Sequence, residues 1–194
     1  MILPTAYWAP RRWFEEYMYG NERDTIGGVA ATPQIEIYES FPKQTYRNRC
    51  VILSPRGERL TLSVPVKRAG SKQLTRDVEI SYESNWQHVH SQAILSAYKR
   101  TPYFDYYQDY ILPLYQQQFR FLLDLNSSTA YIAEQLLRNQ PPKICRKDGG
   151  TRYEGQQNDV QRTTEWSGQD IEGYWGDGLS ILDSLFREGP TTFV

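Results

Sequence analysis

The sequence is short of the residues on which most metal and disulfide sites depend. Only two cysteines, Cys50 and Cys145, and two histidines occur among its 194 residues. These are too few and too scattered for a disulfide framework or a zinc site. No stretch approaches the ~20 apolar residues of a membrane-spanning helix, and the N-terminus lacks the basic-then-apolar pattern of a signal peptide. These absences predict a cytoplasmic protein without a membrane span.

Concentrated positive charge and the common catalytic motifs are absent as well. The net charge is -1 and the sequence pI is about 6.2, whereas binding to a nucleic acid duplex requires clustered Lys and Arg. The chain contains no glycine-rich phosphate loop, His-Glu-x-x-His motif, Gly-x-Ser-x-Gly elbow or Cys-x-x-Cys pair. Its patterns therefore favour no nucleic acid partner and assign neither a metal nor a cofactor.

Aromatic residues are abundant, with 15 Tyr and 5 Trp. These side chains bury a large area while keeping a polar group at their tips, so they suit wet pockets and interfaces. They would serve equally well to build the core of a protein that is poor in leucine. Both interpretations stay open at this point.

The order of the predicted elements favours an α+β fold. A helix is expected between Pro10 and Gly20, strands in "QIEIYE" and "DVEISY", and a β-hairpin over residues 47–66 around a turn at residues 54–57. Helices are expected over 86–100, 103–118 and about 119–139, and another in "LSILDSLFREGP", capped by Ser180 and ended by Gly189. We predict a single domain over residues 1–194, in which a small antiparallel sheet with its hairpin packs against several helices.

One segment departs from this pattern. Residues 148–173 consist mostly of Gly, Gln, Asp, Thr, Arg and Glu, with few aliphatic side chains to bury. Such a composition cannot offset the entropy of ordering the backbone. We expect a mobile segment there, and limited proteolysis should cleave it first.

The two histidines lie two positions apart, in "WQHVHSQAILSAY". On a helix, His90 falls at the centre of an apolar face with Trp86 and Ile94, with Tyr98 near its margin, whereas His88 falls on the opposite side. The helical pattern therefore predicts that the two imidazoles point apart and do not share a metal. His90 is either a core histidine bonded to the main chain or a desolvated general base.

Cations crowd the start of the hairpin in "KQTYRNRC". Strand alternation places Arg47 and Arg49 on one face and Asn48 on the other. Paired arginines bind carboxylate or phosphate groups, but the same charges also protect a solvated sheet edge from aggregation. Cys50 could act as a nucleophile beside Arg49, although a cysteine in an apolar strand is more often a small hydrophobic residue.

Several segments together resemble the WbqC-like protein family of bacteria. The similarity is carried by "ILPTAYWAPRRWF", "YESFPKQTYRNRCVIL", "LSVPVK", "WQHVHSQAILSAYKRTPYF" and "LSILDSLFREGP". The resemblance implies an association with cell-surface polysaccharide (O-antigen) biosynthesis, and an acyl or aminoacyl transfer role has been suggested for the family. Transferred residue by residue, it implicates a set of side chains that excludes His88: Lys43, Asn48, Arg49, Lys67, Trp86, His90 and Tyr98.

We therefore expect an acyl or aminoacyl transferase that acts on an amino sugar or related amine. Arg49 and Lys67 would hold an anionic or activated acyl donor, Lys43 and Asn48 would orient it, and His90 would be the catalytic base. Trp86 and Tyr98 would complete the substrate site. The alternative is a non-catalytic protein that binds a nucleotide sugar or glycan, or assists assembly, in the same pathway. A His90 nitrogen that faces open space favours the enzyme, and one bonded in a closed core favours the alternative.

Overall fold

Short strands and five helices make up the part of the chain that the computed structural model describes, residues 2–19, 34–67, 73–142, 146–147, 150–151 and 178–190. The strands are β1 (Ile2–Pro4), β2 (Gln34–Glu36), β3 (Arg49–Leu53), β4 (Arg59–Ser63), β5 (Arg146–Lys147) and β6 (Gly150–Thr151). The helices are α1 (Arg11–Tyr19), α2 (Trp86–Tyr98), α3 (Phe104–Ile111), α4 (Leu122–Leu137) and α5 (Ile181–Glu188).

The strands of the described residues pair two by two, and the predicted α+β class is confirmed. β3 and β4 form the predicted antiparallel hairpin, with Arg49 opposite Ser63 and Leu53 opposite Arg59. β1 and β2 pair in parallel, which the sequence did not indicate, because a contact between strands so far apart along the chain leaves no local pattern. β5 and β6 form a third, antiparallel pair.

Two predicted elements differ from the structure. "DVEISY" is not a strand: its residues make only the isolated bridges Val66–Ile80 and Glu79–Phe121. The predicted helix over 103–118 is divided, with α3 ending at Ile111 and a 3₁₀ helix covering Leu112–Gln116. Pro113 explains the division, because a proline inside an α-helix removes one hydrogen bond and clashes with the preceding turn.

The core lies where the hairpin, α2 and α5 meet. Cys50 and Ile52 alternate inward along β3, and α2 buries the face predicted from its helical wheel, which includes His90 and Ile94. α5 begins as predicted at Ser180, whose hydroxyl oxygen accepts a hydrogen bond from the Leu182 amide. Such a cap satisfies one of the amide groups that every helix start leaves unpaired.

Some expectations fall on parts of the chain outside the described residues. This holds for Cys145 and for most of the segment 148–173, of which only Gly150–Thr151 is described, as strand β6. Within the described ranges, no helix combines the length and apolar character needed to cross a membrane. The same ranges contain no group of three or more His, Cys, Asp or Glu side chains placed to hold a metal ion.

Candidate functional site

The two histidines of α2 have opposite environments, as the helical wheel predicted. The side chain of His90 is buried, with 3% of its surface exposed, while His88 is exposed. The ring of His90 packs edge-on against Trp86, with 5.1 Å between the ring centroids. This position on the apolar face of α2 excludes a metal held by both histidines.

His90 is the last member of a chain of buried hydrogen bonds, which we call the tyrosine network. Trp8 Nε1 donates to Tyr115 Oη over 2.9 Å, Tyr115 and Tyr7 share a 2.8 Å hydrogen bond, and Tyr7 Oη lies 2.9 Å from His90 Nδ1. Because an indole nitrogen can only donate, the oxygen of Tyr115 is the acceptor in its bond to Trp8. The imidazole of His90 also forms a hydrogen bond with the Ser63 main chain.

Burial keeps the imidazole of His90 neutral. Desolvation lowers its pKa from 6.5 to about 4, and the hydrogen bond to the Ser63 main chain only partly opposes this change. Burial also raises the pKa values of Tyr7 and Tyr115 above their usual range. The tyrosine network is therefore uncharged at neutral pH, and its His90 is bonded in a closed core.

Cys50 belongs to the same interior and does not have the properties of a nucleophile. Its side chain is 1% exposed, and burial raises the pKa of the thiol well above its usual value. A reactive cysteine needs the opposite, a thiolate stabilised by a positive neighbour. Cys50 therefore serves as a small hydrophobic residue of β3.

Tyr98 lies on the same helix face as His90 but about 12 Å along its axis, since eight residues separate the two. Its ring stacks on Phe186 of α5, with the centroids 4.8 Å apart, and its hydroxyl donates to Asp183 over 3.2 Å. Burial raises its pKa well above the usual value. Tyr98 thus joins α2 to α5 at a distance from His90.

The two arginines at the start of the hairpin have different roles. Arg47 lies in the turn before β3, is 2% exposed and forms a two-pronged ion pair with Glu39, with N–O distances of 2.9 and 2.8 Å. Arg49 starts β3, and its Nε is buried without a hydrogen-bond partner among the described residues. The side chain of Asn48 donates to the Val64 carbonyl, and its Oδ1 has no described partner either.

Alternation along β3 separates Arg49 from the interior that contains His90. Cys50 faces the tyrosine network, since it interacts electrostatically with Tyr7 and Tyr115. Arg49, one residue earlier, is therefore directed to the other face of the hairpin. Its opposite residue, Ser63, supplies the main-chain hydrogen bond to His90, so Arg49 and His90 are linked through the backbone of β4.

Lys67 lines a surface pocket of about 570 Å³, which we call the hairpin pocket; its walls are Lys67, residues 79–83 and residues 118–120. Glu79 accepts from both cations of the pocket, Lys67 over 2.6 Å and Arg120 over 2.9 Å. These hydrogen bonds lower the pKa of Glu79. The side chains of Lys67 and Arg120 are 63% and 73% exposed, so both cations reach toward solvent.

Tyr82 connects the hairpin pocket with the interior. It lines the pocket, and its ring lies 5.9 Å from that of Trp86 between centroids. Its hydroxyl is held by Phe119, accepting from the amide over 2.8 Å and donating to the carbonyl over 3.0 Å. Trp86 touches Tyr82 on one side and His90 on the other, so it lies between the two regions.

The seven predicted side chains thus occupy different surroundings. His90, Trp86 and Tyr98 are buried on α2, Asn48 and Arg49 are partly buried at the start of β3, and Lys67 lines the hairpin pocket. Lys43 is exposed in a turn. Of the seven, the hairpin pocket includes Lys67 alone among its lining residues.

A model of the WbqC-like protein family matches residues 38–164, well over half of the chain. The chain belongs to the WbqC-like protein family. No curated protein and no solved structure matches it. The matched range of this WbqC-like protein includes all seven predicted side chains and the whole hairpin pocket, but neither Tyr7 and Trp8 nor α5.

Sequence reasoning missed several residues that organise these regions of the WbqC-like protein. In the tyrosine network, Tyr115 lies more than 100 positions from Tyr7 and Trp8, and only the high Tyr and Trp content pointed to such a cluster. Glu79 and Arg120 of the hairpin pocket are likewise distant in sequence. Their pairing depends on main-chain hydrogen bonds such as Ile80 N to the Arg120 carbonyl, at 3.0 Å, which no local pattern encodes.

Proposed function

We propose that this WbqC-like protein binds an anionic sugar derivative, such as a nucleotide sugar, in the hairpin pocket, and that it serves cell-surface polysaccharide biosynthesis as a non-catalytic binding protein. The observation that carries the proposal is the pairing of two outward-reaching cations with aromatic walls in one cavity. Its volume of about 570 Å³ lies within the range typical of small-molecule sites.

The side chains of the hairpin pocket suit each part of such a ligand. Lys67 and Arg120 can bind a phosphate or carboxylate group. Because both side chains are mostly exposed, they can turn toward a ligand without giving up buried contacts. Tyr82 and Phe119 offer apolar surface on which a sugar ring can pack. Glu79 and Glu83 can accept hydrogen bonds from sugar hydroxyl groups. The resemblance to the family supplies the pathway.

Isothermal titration calorimetry with glucose 1-phosphate and with UDP-glucose tests this function. We expect saturable binding of at least one probe, and a loss of about tenfold in affinity on Lys67→Met, since hydrogen bonds to charged groups contribute about 1.5–3 kcal/mol. Lys99→Met is the matched control, because Lys99 is exposed at the other end of α2, about 20 Å along the helix from Trp86. If Lys67→Met and Lys99→Met bind the probe with equal affinity, the hairpin pocket is not the binding site.

Acyl or aminoacyl transfer to an amino sugar is the second candidate, and the neutral state of His90 favours it. A general base must be unprotonated at working pH, and the lowered pKa of His90 meets that requirement. Arg49 would then hold an anionic donor, and Asn48 and Lys43 would orient it, but alternation along β3 directs Arg49 to the other face of the hairpin from His90. The enclosure of His90 weighs against this role, because its Nδ1 is engaged by Tyr7 and only 3% of its surface is exposed.

Transfer of an acyl group from an activated thioester to a sugar amine forms an amide and releases a free thiol. The rate of thiol release therefore measures the reaction. If His90 is the base, His90→Gln abolishes this release while circular dichroism shows a folded protein. His88→Gln is the matched control, since His88 lies on the exposed side of the same helix. Thiol release that persists in His90→Gln would exclude His90 from the chemistry.

A further inference from the structure

The charged side chains that line the hairpin pocket balance one another. Two of them are cations, Lys67 and Arg120, and two are carboxylates, Glu79 and Glu83. Their formal charges cancel, so the lining as a whole offers no net attraction to a ligand that carries only negative charge. A ligand that brings charges of both signs is a better match for such a pocket.

The two carboxylates of the pocket differ in their partners. Glu79 is occupied, because one of its oxygens accepts from Lys67 over 2.6 Å and the other from Arg120 over 2.9 Å. Glu83 is exposed, and within the described part of the chain its carboxylate has neither a hydrogen bond nor an ion pair. Among the described residues, Glu83 is thus the charged wall residue that lacks a partner of opposite sign.

Hydrogen bonds fix the segment that carries Glu83 in the pocket wall. The Ser81 amide donates to the Pro65 carbonyl over 2.9 Å, and the Ser81 hydroxyl accepts from the Glu83 amide over 3.4 Å. Tyr82, between them, is held through its hydroxyl at the main chain of Phe119. The free carboxylate therefore extends from an anchored wall, in a pocket that the Tyr82 side chain also lines.

From this arrangement we infer that the ligand of the hairpin pocket is a sugar phosphate that carries a free primary amine. Its phosphate meets Lys67 and Arg120, and its protonated amine pairs with Glu83. An ammonium group is also attracted to the face of an aromatic ring, which Tyr82 can offer. The ligand keeps a net negative charge, because a phosphate monoester carries about −1.5 to −2 at pH 7. This inference rests on the proposed binding function and specifies its substrate class.

Three sugar phosphates that differ in one substituent test the amine. Glucosamine 1-phosphate carries a charged amine, N-acetylglucosamine 1-phosphate an uncharged amide, and glucose 1-phosphate a hydroxyl group at the same carbon. In calorimetry at pH 7 and low ionic strength, we expect glucosamine 1-phosphate to bind about fivefold more tightly than either of the others, the upper end for an ion pair at an exposed site. Added salt should reduce this preference.

A second pair of sugars changes the distance between the two ligand charges. In glucosamine 6-phosphate the amine and the phosphate lie farther apart than in the 1-phosphate, and glucose 6-phosphate is its matched analogue without the amine. The amine should strengthen binding in at least one of the two series. The series with the larger preference reports how far Glu83 lies from Lys67 and Arg120 in the complex.

Three variants assign the amine to its partner. Glu83→Gln should abolish the preference for the amine without weakening glucose 1-phosphate, because it removes the charge and keeps the size of the side chain. Glu58→Gln is the matched control and should retain the preference, since Glu58 is exposed in the turn between β3 and β4 and does not line the pocket. Lys67→Met should weaken aminated and non-aminated sugars by about the same factor.

The outcomes separate the substrate class from the binding function. If sugars with and without the amine bind equally in both series and depend on Lys67, or if UDP-glucose alone binds, the amine inference is wrong and the binding function stands. A preference for the amine that survives Glu83→Gln would also reject the inference. If none of these sugars binds at millimolar concentration, both proposals fail.

Discussion

The tyrosine network and the hairpin pocket adjoin the same residue, Trp86, yet they differ in almost every physical property. The network is closed, uncharged and buried along its whole length from Trp8 to His90. The pocket is open and charged, and its ion pairs involve side chains that are mostly in solvent. Polar groups of the first kind contribute to the stability of the fold, whereas those of the second can change partners.

The contrast shows why a histidine on an apolar helix face is ambiguous. A core position makes the imidazole neutral, as catalysis requires, but the same burial removes its access to a substrate. In the hairpin pocket, by contrast, the side chains of Lys67 and Arg120 can reach a ligand. The comparison therefore predicts that pH and core substitutions act on folding, while pocket substitutions act on binding.

Acid should affect the network most strongly. The pKa of His90 is about 4 in the folded state and 6.5 in the unfolded chain. Between these two pH values, the unfolded chain therefore binds a proton that the folded chain does not. Stability from this group is complete above pH 6.5 and declines as the pH falls toward 4, by up to about 3 kcal/mol. Urea unfolding at pH 7 and pH 4.5 should show a smaller loss for His90→Gln than for the unmodified protein. The same loss in both would contradict the assigned environment.

Removing one hydroxyl group from the tyrosine network should have the next largest effect on the free energy of unfolding. Tyr115→Phe leaves the Trp8 indole N–H and the Tyr7 hydroxyl each without the oxygen they now bond, so we expect a destabilisation of about 2–3 kcal/mol. Tyr106→Phe serves as the control, because Tyr106 is 70% exposed and should change the free energy of unfolding by less than about 0.5 kcal/mol. Similar values for the two variants would show that the network contributes nothing to stability.

The pocket should respond in binding alone. Glu79 now holds Lys67 and Arg120, so Glu79→Gln releases both cations toward an anionic ligand. We expect a several-fold gain in affinity for glucose 1-phosphate, measured by calorimetry, with the unfolding midpoint in urea almost unchanged. A loss of affinity would mean that Glu79 positions the cations and does not compete with the ligand.

The smallest effect is expected on the outer side of α2. His88 is exposed, so His88→Ala should alter the free energy of unfolding by no more than about 0.5 kcal/mol. Urea unfolding at pH 7 is sufficient to check this. A larger change would place His88 in contacts that its exposure does not indicate.

Local patterns predicted most of the elements and the burial of α2. The helical period placed His90 and His88 on different sides of α2. The capping residue Ser180 and the terminating residue Gly189 correctly predicted the two ends of α5. Alternation and turn residues gave the hairpin. These features depend on residues a few positions apart, which is the range over which periodicity and capping act.

Contacts between distant segments could not be obtained in the same way. The parallel pairing of β1 with β2 and the union of Tyr7 with Tyr115 depend on how the chain packs as a whole. The paired arginines show the same limit. Alternation treated Arg47 and Arg49 as equivalent, but Arg47 precedes the strand and is held by Glu39, a partner that only the folded chain supplies.

Helix α5 has a consequence for how the protein emerges from the ribosome. Its Leu182, Leu185 and Phe186 have no exposed surface, and the amide of Ser180 bonds to Val51 of β3 over 2.7 Å. The interior formed by the hairpin and α2 therefore stays incomplete until residues near position 188 have been synthesised. A nascent chain that ends before α5 would display apolar surface beside Tyr98, which makes it a substrate for chaperones.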